Sequence, residues 1–261
     1  MEILGKHISD QTAQLISQLE EKLAVPVTYQ FTDTDRTTDF GLCRLTEEGC
    51  CIYSKESLFT LTKAKAVNTA FETNLLHQLL RGVQQVEGYP FPQVKDTEIT
   101  RSSPDFYEQL GWLYAASVLN LNVDARLKEL GYDSAYFYRH AMNQADKMVR
   151  KGCKFNNEVD FTRYVCQLML LKLACPGEEM NRLMGLYREK NAGLVVFANR
   201  LAEEIGKQGY ATPEETFGAL AILFCEFNLW FTHDLVFQGK RYADAEAVRK
   251  DFPQLVLPDR E

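Results

Sequence analysis

The chain has 261 residues, enough for one large domain or two of modest size, and 46% of them are apolar while 25% are charged. That composition is typical of a folded globular protein and excludes a largely disordered chain. The 29 basic and 36 acidic residues give a net charge of −7, which disfavours binding to nucleic-acid phosphates. We therefore expect no nucleic-acid partner.

The cysteines and the apolar stretches indicate a cytoplasmic protein. Seven cysteines are present, Cys50 and Cys51 are adjacent, and no C-x-x-C motif occurs. This pattern predicts reduced thiols, and neither a disulfide framework nor a structural zinc ribbon. The most apolar stretch, residues 217–237, contains Glu226 and Asp234. These charges favour a buried helix over a membrane span, so we expect no membrane insertion.

The first third of the chain predicts a helix, three short strands and a second helix. Residues 9–24 carry leucines on one side, and Ser9 is a suitable capping residue. The predicted strands cover residues 27–31, 40–45 and 50–55. The last two form a hairpin, because a short T-E-E-G connection joins them. From residue 61 to residue 87 apolar side chains recur every four positions, as in a helix.

The rest of the chain predicts helices only. They are expected at 104–121, 123–130, 134–150, 157–174, 177–189, 192–207, 212–237 and 242–250. The start of the helix at 212 is the most clearly marked, since Thr212 can cap it and Glu215 can bond back to the capping residue. Aromatic stretches such as FNLWF at 227–231 are expected to be mainly core, with some tyrosines at a protein interface.

The two parts are expected to meet where three of the eight prolines occur, in GYPFPQVKDTEITRSSP at 88–104. We predict an α+β fold class. A small helix, three-stranded sheet and helix unit covers 1–88, a linker covers 89–103, and an all-helical domain covers 104–261.

The helix at 61–87 contains the motif with chemical meaning. In NLLHQLLRGVQ, Gln78 follows His77, and Arg81 stands one turn after His77. This stretch, together with the preceding order of helix, strands and hairpin, resembles the H-E-x-x-H core of the zincin-like metallopeptidases, including the ImmA/IrrE type. The resemblance covers about residues 9–131. In that family two histidines hold zinc, the glutamate between them is the general base, and a later helix supplies a third ligand.

The resemblance implies a role for each matching position. His77 would match the first ligand, Gln78 the general base and Arg81 the second ligand, while Glu108 or Asp124 would match the acidic third ligand. Glutamine does not accept a proton at neutral pH, and arginine offers zinc no lone pair. We therefore expect a degenerate site with no catalytic residue, no metal and no cofactor.

The leading interpretation is a pseudoenzyme: a non-catalytic, metallopeptidase-like protein that acts as a protein-binding or regulatory module. We also expect Arg81 to pair with a carboxylate from 105–133 where a family member holds zinc. One alternative is a divergent metal-dependent hydrolase that uses His77 with Glu108 or Asp124. Another is a helical interaction protein of a mobile element, without peptidase ancestry.

Overall fold

The first helix begins where its capping residue predicts. In this computed structural model, which describes residues 1–32, 41–55, 64–155 and 158–258, Ser9 accepts a hydrogen bond from the Thr12 amide at 3.4 Å. That bond satisfies one of the amides left open at the start of α1 (Asp10–Leu23). A small hairpin, β1 (Glu2–Ile3) and β2 (Lys6–His7), precedes the helix.

The predicted N-terminal sheet region is confirmed. It consists of β3 (Val27–Thr32), β4 (Gly41–Leu45) and β5 (Cys50–Lys55), in the order β3-β5-β4. Strands β4 and β5 form the expected antiparallel hairpin, while β3 lies parallel to β5. Helix α2 (Ala64–Val86) packs against α1 and against the hairpin strands. Phe40 and the predicted helix start at 61–63 lie outside the described residues.

The core of this unit is built from α1, β5 and α2, with a contribution from later in the chain. Its fully buried side chains include Ile16, Ile52, Leu75 and Leu79. Val123 and Leu127 of α4 (Pro104–Glu129) belong to the same cluster. Residues 123–134, predicted as part of the helical domain, therefore belong to the first compact unit, which comprises Met1–Gly88 and Val123–Ser134.

The second unit comprises Tyr89–Asn122 and Ala135–Glu261, and its predicted helical character is confirmed. Its further helices are α3 (Glu98–Arg101), α5 (Ala135–Arg150), α6 (Glu158–Ala174), α7 (Glu178–Lys190), α8 (Ala192–Gln208), α9 (Pro213–Glu226) and α10 (Ala245–Asp251). The predicted capping box of α9 is present, because the Glu215 amide bonds to Thr212 Oγ1 and Glu215 Oε2 accepts from the Thr212 amide. The helices predicted at 104–121 and 123–130 are one continuous helix, α4.

The C-terminal part is not all-helical, which corrects the prediction. Strands β6 (Phe91–Val94), β7 (His233–Phe237) and β8 (Lys240–Tyr242) form an antiparallel sheet. The helix predicted at 212–237 ends at Glu226, and a 3₁₀ turn at Leu229–Phe231 follows before β7. Segment 89–103, predicted as a linker, contains β6 and α3.

The missed strand has a physical reason. Strand β7 is buried along most of its length, and a short apolar run buried on both faces has the same pattern as a buried helix. Asn228 ends the helical stretch with a left-handed backbone, φ 57°. Gln238 and Gly239 both have positive φ, as a two-residue hairpin turn requires. Among the helices of the described residues, none has the combination of length and apolar character needed to cross a membrane.

Candidate functional site

Helix α2 carries three of the predicted site residues. His77 and Arg81 are half-buried and Gln78 is buried, so the structure brings the three together on one helix. The neighbouring Gly82 shows how closely the helix approaches the sheet. A β-carbon at Gly82 would lie 3.0 Å from Cys43 Sγ and 3.1 Å from Leu23 Cδ2, so a side chain would push the helix off the hairpin.

Gln78 belongs to a chain of buried polar groups. Its Nε2 lies 3.4 Å from Asn74 Oδ1 and 3.4 Å from His77 Nδ1. The Asn74 amide nitrogen donates in turn to Ser54 Oγ of β5 at 3.0 Å. Ser54, Asn74 and Gln78 are all buried. The position that the resemblance matches to a general base therefore holds an amide that donates hydrogen bonds, including one towards the imidazole.

Arg81 places a positive charge beside this chain. Its Nη1 donates to Oε1 of the buried Gln84 at 3.0 Å. Burial, together with the positive charge of Arg81, lowers the pKa of His77 to about 3. Burial also lowers the pKa of Arg81, to about 10, and interaction with Cys43 opposes that change. At neutral pH the helix therefore presents a neutral imidazole one turn from a cation, and that cation repels a divalent metal ion.

The two acidic candidates lie in different units. Glu108 is an exposed residue of α4 in the second unit, whereas Asp124 is a half-buried residue in the first. Burial raises the pKa of Asp124 to about 7, and a hydrogen bond with Ser134 opposes the rise. Arg81 bonds to Gln84 and Asp124 bonds to Ser134, so the pairing of Arg81 with a carboxylate from 105–133 stays a prediction.

Metal-ligating side chains do not cluster in the described ranges. Within residues 1–32, 41–55, 64–155 and 158–258, no three His, Cys, Asp or Glu side chains come together as a group able to hold a metal ion. All seven cysteines are free thiols. Two of them face each other across the hairpin, with 3.5 Å between Cys43 Sγ and Cys50 Sγ.

Sequence reasoning missed the most densely bonded residue of α2. The buried Glu72 carboxylate accepts hydrogen bonds from the Ser9 amide at 2.8 Å, from Ser9 Oγ at 2.9 Å and from Thr12 Oγ1 at 2.6 Å. Tyr132 lies 2.7 Å from Thr12 Oγ1 and completes the group. The carboxylate thus lies at the N-terminus of α1, where negative charge is stabilising. A lone charge in FETNLLHQLL is the sequence feature that could have revealed it.

His233 of the second unit has a structural environment. Its Nε2 lies 2.8 Å from the Tyr107 carbonyl oxygen, so this nitrogen donates, and Nδ1 accepts from the Thr232 hydroxyl at 2.8 Å. The ring lies so close to α4 that a β-carbon at Gly111 would be 2.7 Å from Nε2. Burial lowers the pKa of His233, which keeps the ring neutral. Both ring nitrogens are thus occupied, and the bond of Nε2 holds the start of β7 to α4.

Three large apolar side chains are exposed on segments near this histidine. They are Ile99, Phe106 and Phe231, whose exposed fractions are 61%, 44% and 71%, and we call this set the apolar edge. Phe231 is the most exposed of the three, although it lies in FNLWF at 227–231, a stretch expected to be mainly core.

Hydrogen bonds hold the segments of the apolar edge together. The Lys95 amide donates to the Thr232 carbonyl at 2.9 Å, one residue from Phe231. The Thr100 hydroxyl donates to the Lys95 carbonyl, which holds α3 close to the same place. The bond from His233 to the Tyr107 carbonyl then fixes the start of α4, next to Phe106. The three segments that carry the exposed side chains are therefore held close together.

Three carboxylates lie next to the apolar edge in the sequence, and we call them its rim. Glu98, Asp105 and Glu108 are exposed, and the ion pairs found in the described part of the chain include none of them. The nearby Arg101 is paired with Asp96, 2.6 Å from Nε to Oδ1. The segments of the apolar edge therefore carry exposed negative charge as well as exposed apolar side chains.

Comparison with known proteins gives no match: no protein-family model, no curated protein and no solved structure resembles the chain significantly.

Proposed function

We propose that the chain is a non-catalytic, metallopeptidase-like protein that binds another protein through its apolar edge. The observation that carries the proposal is the exposure of Ile99, Phe106 and Phe231 on segments of the second unit that hydrogen bonds hold close together. Large apolar side chains that are exposed together and surrounded by polar residues mark interaction sites in folded proteins.

The geometry of α2 supports the non-catalytic part of the proposal. Gln78 is engaged as a hydrogen-bond donor to Asn74 and towards His77, which a proton-accepting base would not be. Arg81 keeps its charge at neutral pH, and a cation at the second ligand position opposes metal binding. Both side chains make hydrogen bonds to other residues of α2.

The charge of the rim specifies the partner. Glu98, Asp105 and Glu108 together favour a segment that carries lysines or arginines beside an apolar stripe, as an amphipathic basic helix does. Opposite charges at the rim accelerate association and are screened by salt, whereas the apolar side chains determine how long the complex lasts.

The test is affinity capture from the native host with the full chain and two matched variants. Phe231→Glu places a charge in the apolar edge. Val196→Glu makes the same change at an exposed position, 66% accessible, on α8. We expect a partner that is recovered with the unchanged chain and with Val196→Glu, and whose recovery falls more than about tenfold with Phe231→Glu. We also expect the captured partner to elute with rising salt.

The same proteins recovered equally by all three baits would contradict the proposal. A partner lost with Val196→Glu and kept with Phe231→Glu would place the interface on α8 instead. Circular dichroism of both variants checks that the folded state is unchanged.

A further inference from the structure

A cavity of about 310 Å³ lies in the second unit, between helices α6, α7 and α8. Helix α7 contributes most of its wall, through positions spaced three, four and seven residues apart on one face. The cavity is large enough for a small ligand and is remote in sequence from the residues of the apolar edge.

The polar wall of this cavity can bind an anion. Lys172 of α6 and Arg188 of α7 supply two cations, and Asn181 and Asn199 supply two amides. Lys172 Nζ donates to Asn199 Oδ1 at 2.6 Å, which holds the ammonium group in place and leaves further N–H donors available. Arg188 is exposed, and the ion pairs of the part of the chain that the structure describes do not include it.

The carboxylate of Glu203 reduces the positive charge of the cavity wall. Glu203 Oε1 lies 3.9 Å from Lys172 Nζ, beyond hydrogen-bond distance, and the Glu203 side chain is mainly exposed. The pair is therefore weak, and an anion in the cavity competes with it for the lysine.

The apolar wall and the opening of the cavity come from α7. Met180 and Met184 are buried and present flexible thioether side chains to the cavity. Gly185 lies in the middle of the helix, and apart from its two chain neighbours and the nearby helix backbone, no atom of the described residues lies within 4 Å of the position its β-carbon would occupy. A glycine inside a helix costs about 1 kcal/mol relative to alanine. The packing around Gly185 therefore leaves room for a side chain, and the missing side chain leaves the cavity open.

We infer that this cavity binds a small organic anion, a phosphate or carboxylate attached to a short apolar group. Arg188 and Lys172 contact the anionic oxygens, the two asparagine amides complete their hydrogen bonds, and the apolar group lies on Met180 and Met184. This site is separate from the apolar edge, so either proposal can fail without the other.

The experiment titrates the full chain at low salt with four probes, followed by nuclear magnetic resonance of its amides. The probes are butyl phosphate, pentanoate, inorganic phosphate and butanol. We expect butyl phosphate to bind with a dissociation constant on the order of 1 mM and to shift amides of α7 and the adjacent turns of α6 and α8. Inorganic phosphate should bind more weakly because it lacks the apolar group, and butanol should not bind. The ratio of butyl phosphate to pentanoate affinity identifies the preferred oxyanion.

Three variants test the assignment of roles. Arg188→Gln should weaken binding about tenfold. Gly185→Leu should abolish binding without removing a charge, while the helix gains stability. Glu203→Gln should strengthen binding a few-fold, because it releases Lys172 from its carboxylate.

The inference is overturned by either of two results. One is the lack of any shift in α7 with butyl phosphate and pentanoate at about ten times the expected dissociation constant. The other is binding that Arg188→Gln and Gly185→Leu leave unchanged, which would locate the anion elsewhere on the chain.

Discussion

Helices α2 and α9 are both buried central helices of their own units, yet they are stabilised in different ways. Helix α9 is buried without interruption from Thr216 to Glu226, and nearly all of these side chains are apolar. Helix α2 buries a series of polar side chains among its leucines: Glu72, Thr73, Asn74, Gln78 and Gln84. Apolar packing holds α9, whereas α2 depends also on hydrogen bonds with specific partners.

The comparison shows why Gln78 and Arg81 are informative. In an apolar helix such as α9, residues of similar volume replace each other at modest cost. In α2, each buried polar group needs a partner, so Gln78 and Arg81 are tied to Asn74 and Gln84. These two side chains are thus engaged in hydrogen bonds within α2.

The largest effect is expected in α9. Phe217 stacks on Phe237 with ring centroids 4.6 Å apart and also contacts Tyr242 and Phe252. Phe217→Ala should lower the free energy of unfolding by about 3–5 kcal/mol, because it leaves a cavity among the three remaining aromatic rings. Urea unfolding measures the change, with Val196→Ala at an exposed position as the control. A loss below about 1 kcal/mol would show that packing of α9 does not dominate its unit.

The next effect is expected in α2. Glu72→Gln keeps the size of the side chain but exchanges an acceptor oxygen for an NH₂ group that faces donors at Ser9 and Thr12. The free energy of unfolding should fall by about 1–3 kcal/mol. Glu21→Gln, on the exposed face of α1, is the matched control and should have little effect. Equal effects of the two variants would remove the claim that α2 depends on its hydrogen bonds.

A pH-dependent effect is expected at Asp124. Its folded-state pKa of about 7 lies above its ordinary value of 3.8, so the folded protein binds more protons between these pH values. Its contribution to stability is therefore present at acidic pH and is lost as pH rises through 7. Asp124→Asn should raise the free energy of unfolding by about 1–2 kcal/mol at pH 8, allowing for partial solvent exposure, and have little effect near pH 4. Thermal unfolding at both pH values measures this, and a stabilisation independent of pH would contradict the assignment.

The smallest effect is expected at Gln78. Gln78→Leu preserves volume and removes two long hydrogen bonds of 3.4 Å, which should cost about 0.5–1.5 kcal/mol. Gln85→Leu, at the exposed penultimate residue of α2, is the control for adding leucine. A stabilised Gln78→Leu protein would show that the amide chain from Ser54 to His77 does not contribute to folding.

Much of the fold followed from local pattern. The predicted strands at 27–31, 40–45 and 50–55 match β3, β4 and β5 within one residue over the described positions, and the caps at Ser9 and Thr212 are present. These features depend on alternation, turns and capping, which neighbouring residues determine. Strand β7 was missed because its buried apolar run carries no period that separates strand from helix.

The site was predictable only in part. The helical spacing places Arg81 one turn after His77 on α2, and residues one turn apart share a face. The partners of Glu72 are 60 residues or more away in the sequence, and no local pattern reveals them. The same holds for the cavity between α6, α7 and α8, whose wall combines residues from three helices.

The central claim is that α2 carries structural side chains at the positions where a peptidase helix holds metal. The zinc content of the native protein tests this claim most directly. Zinc is measured by mass spectrometry on the chain purified from cells grown with zinc, and on His77→Ala prepared in the same way. The account predicts far less than stoichiometric zinc, with no difference between the two proteins. Stoichiometric zinc in the unchanged chain that disappears in His77→Ala would contradict it.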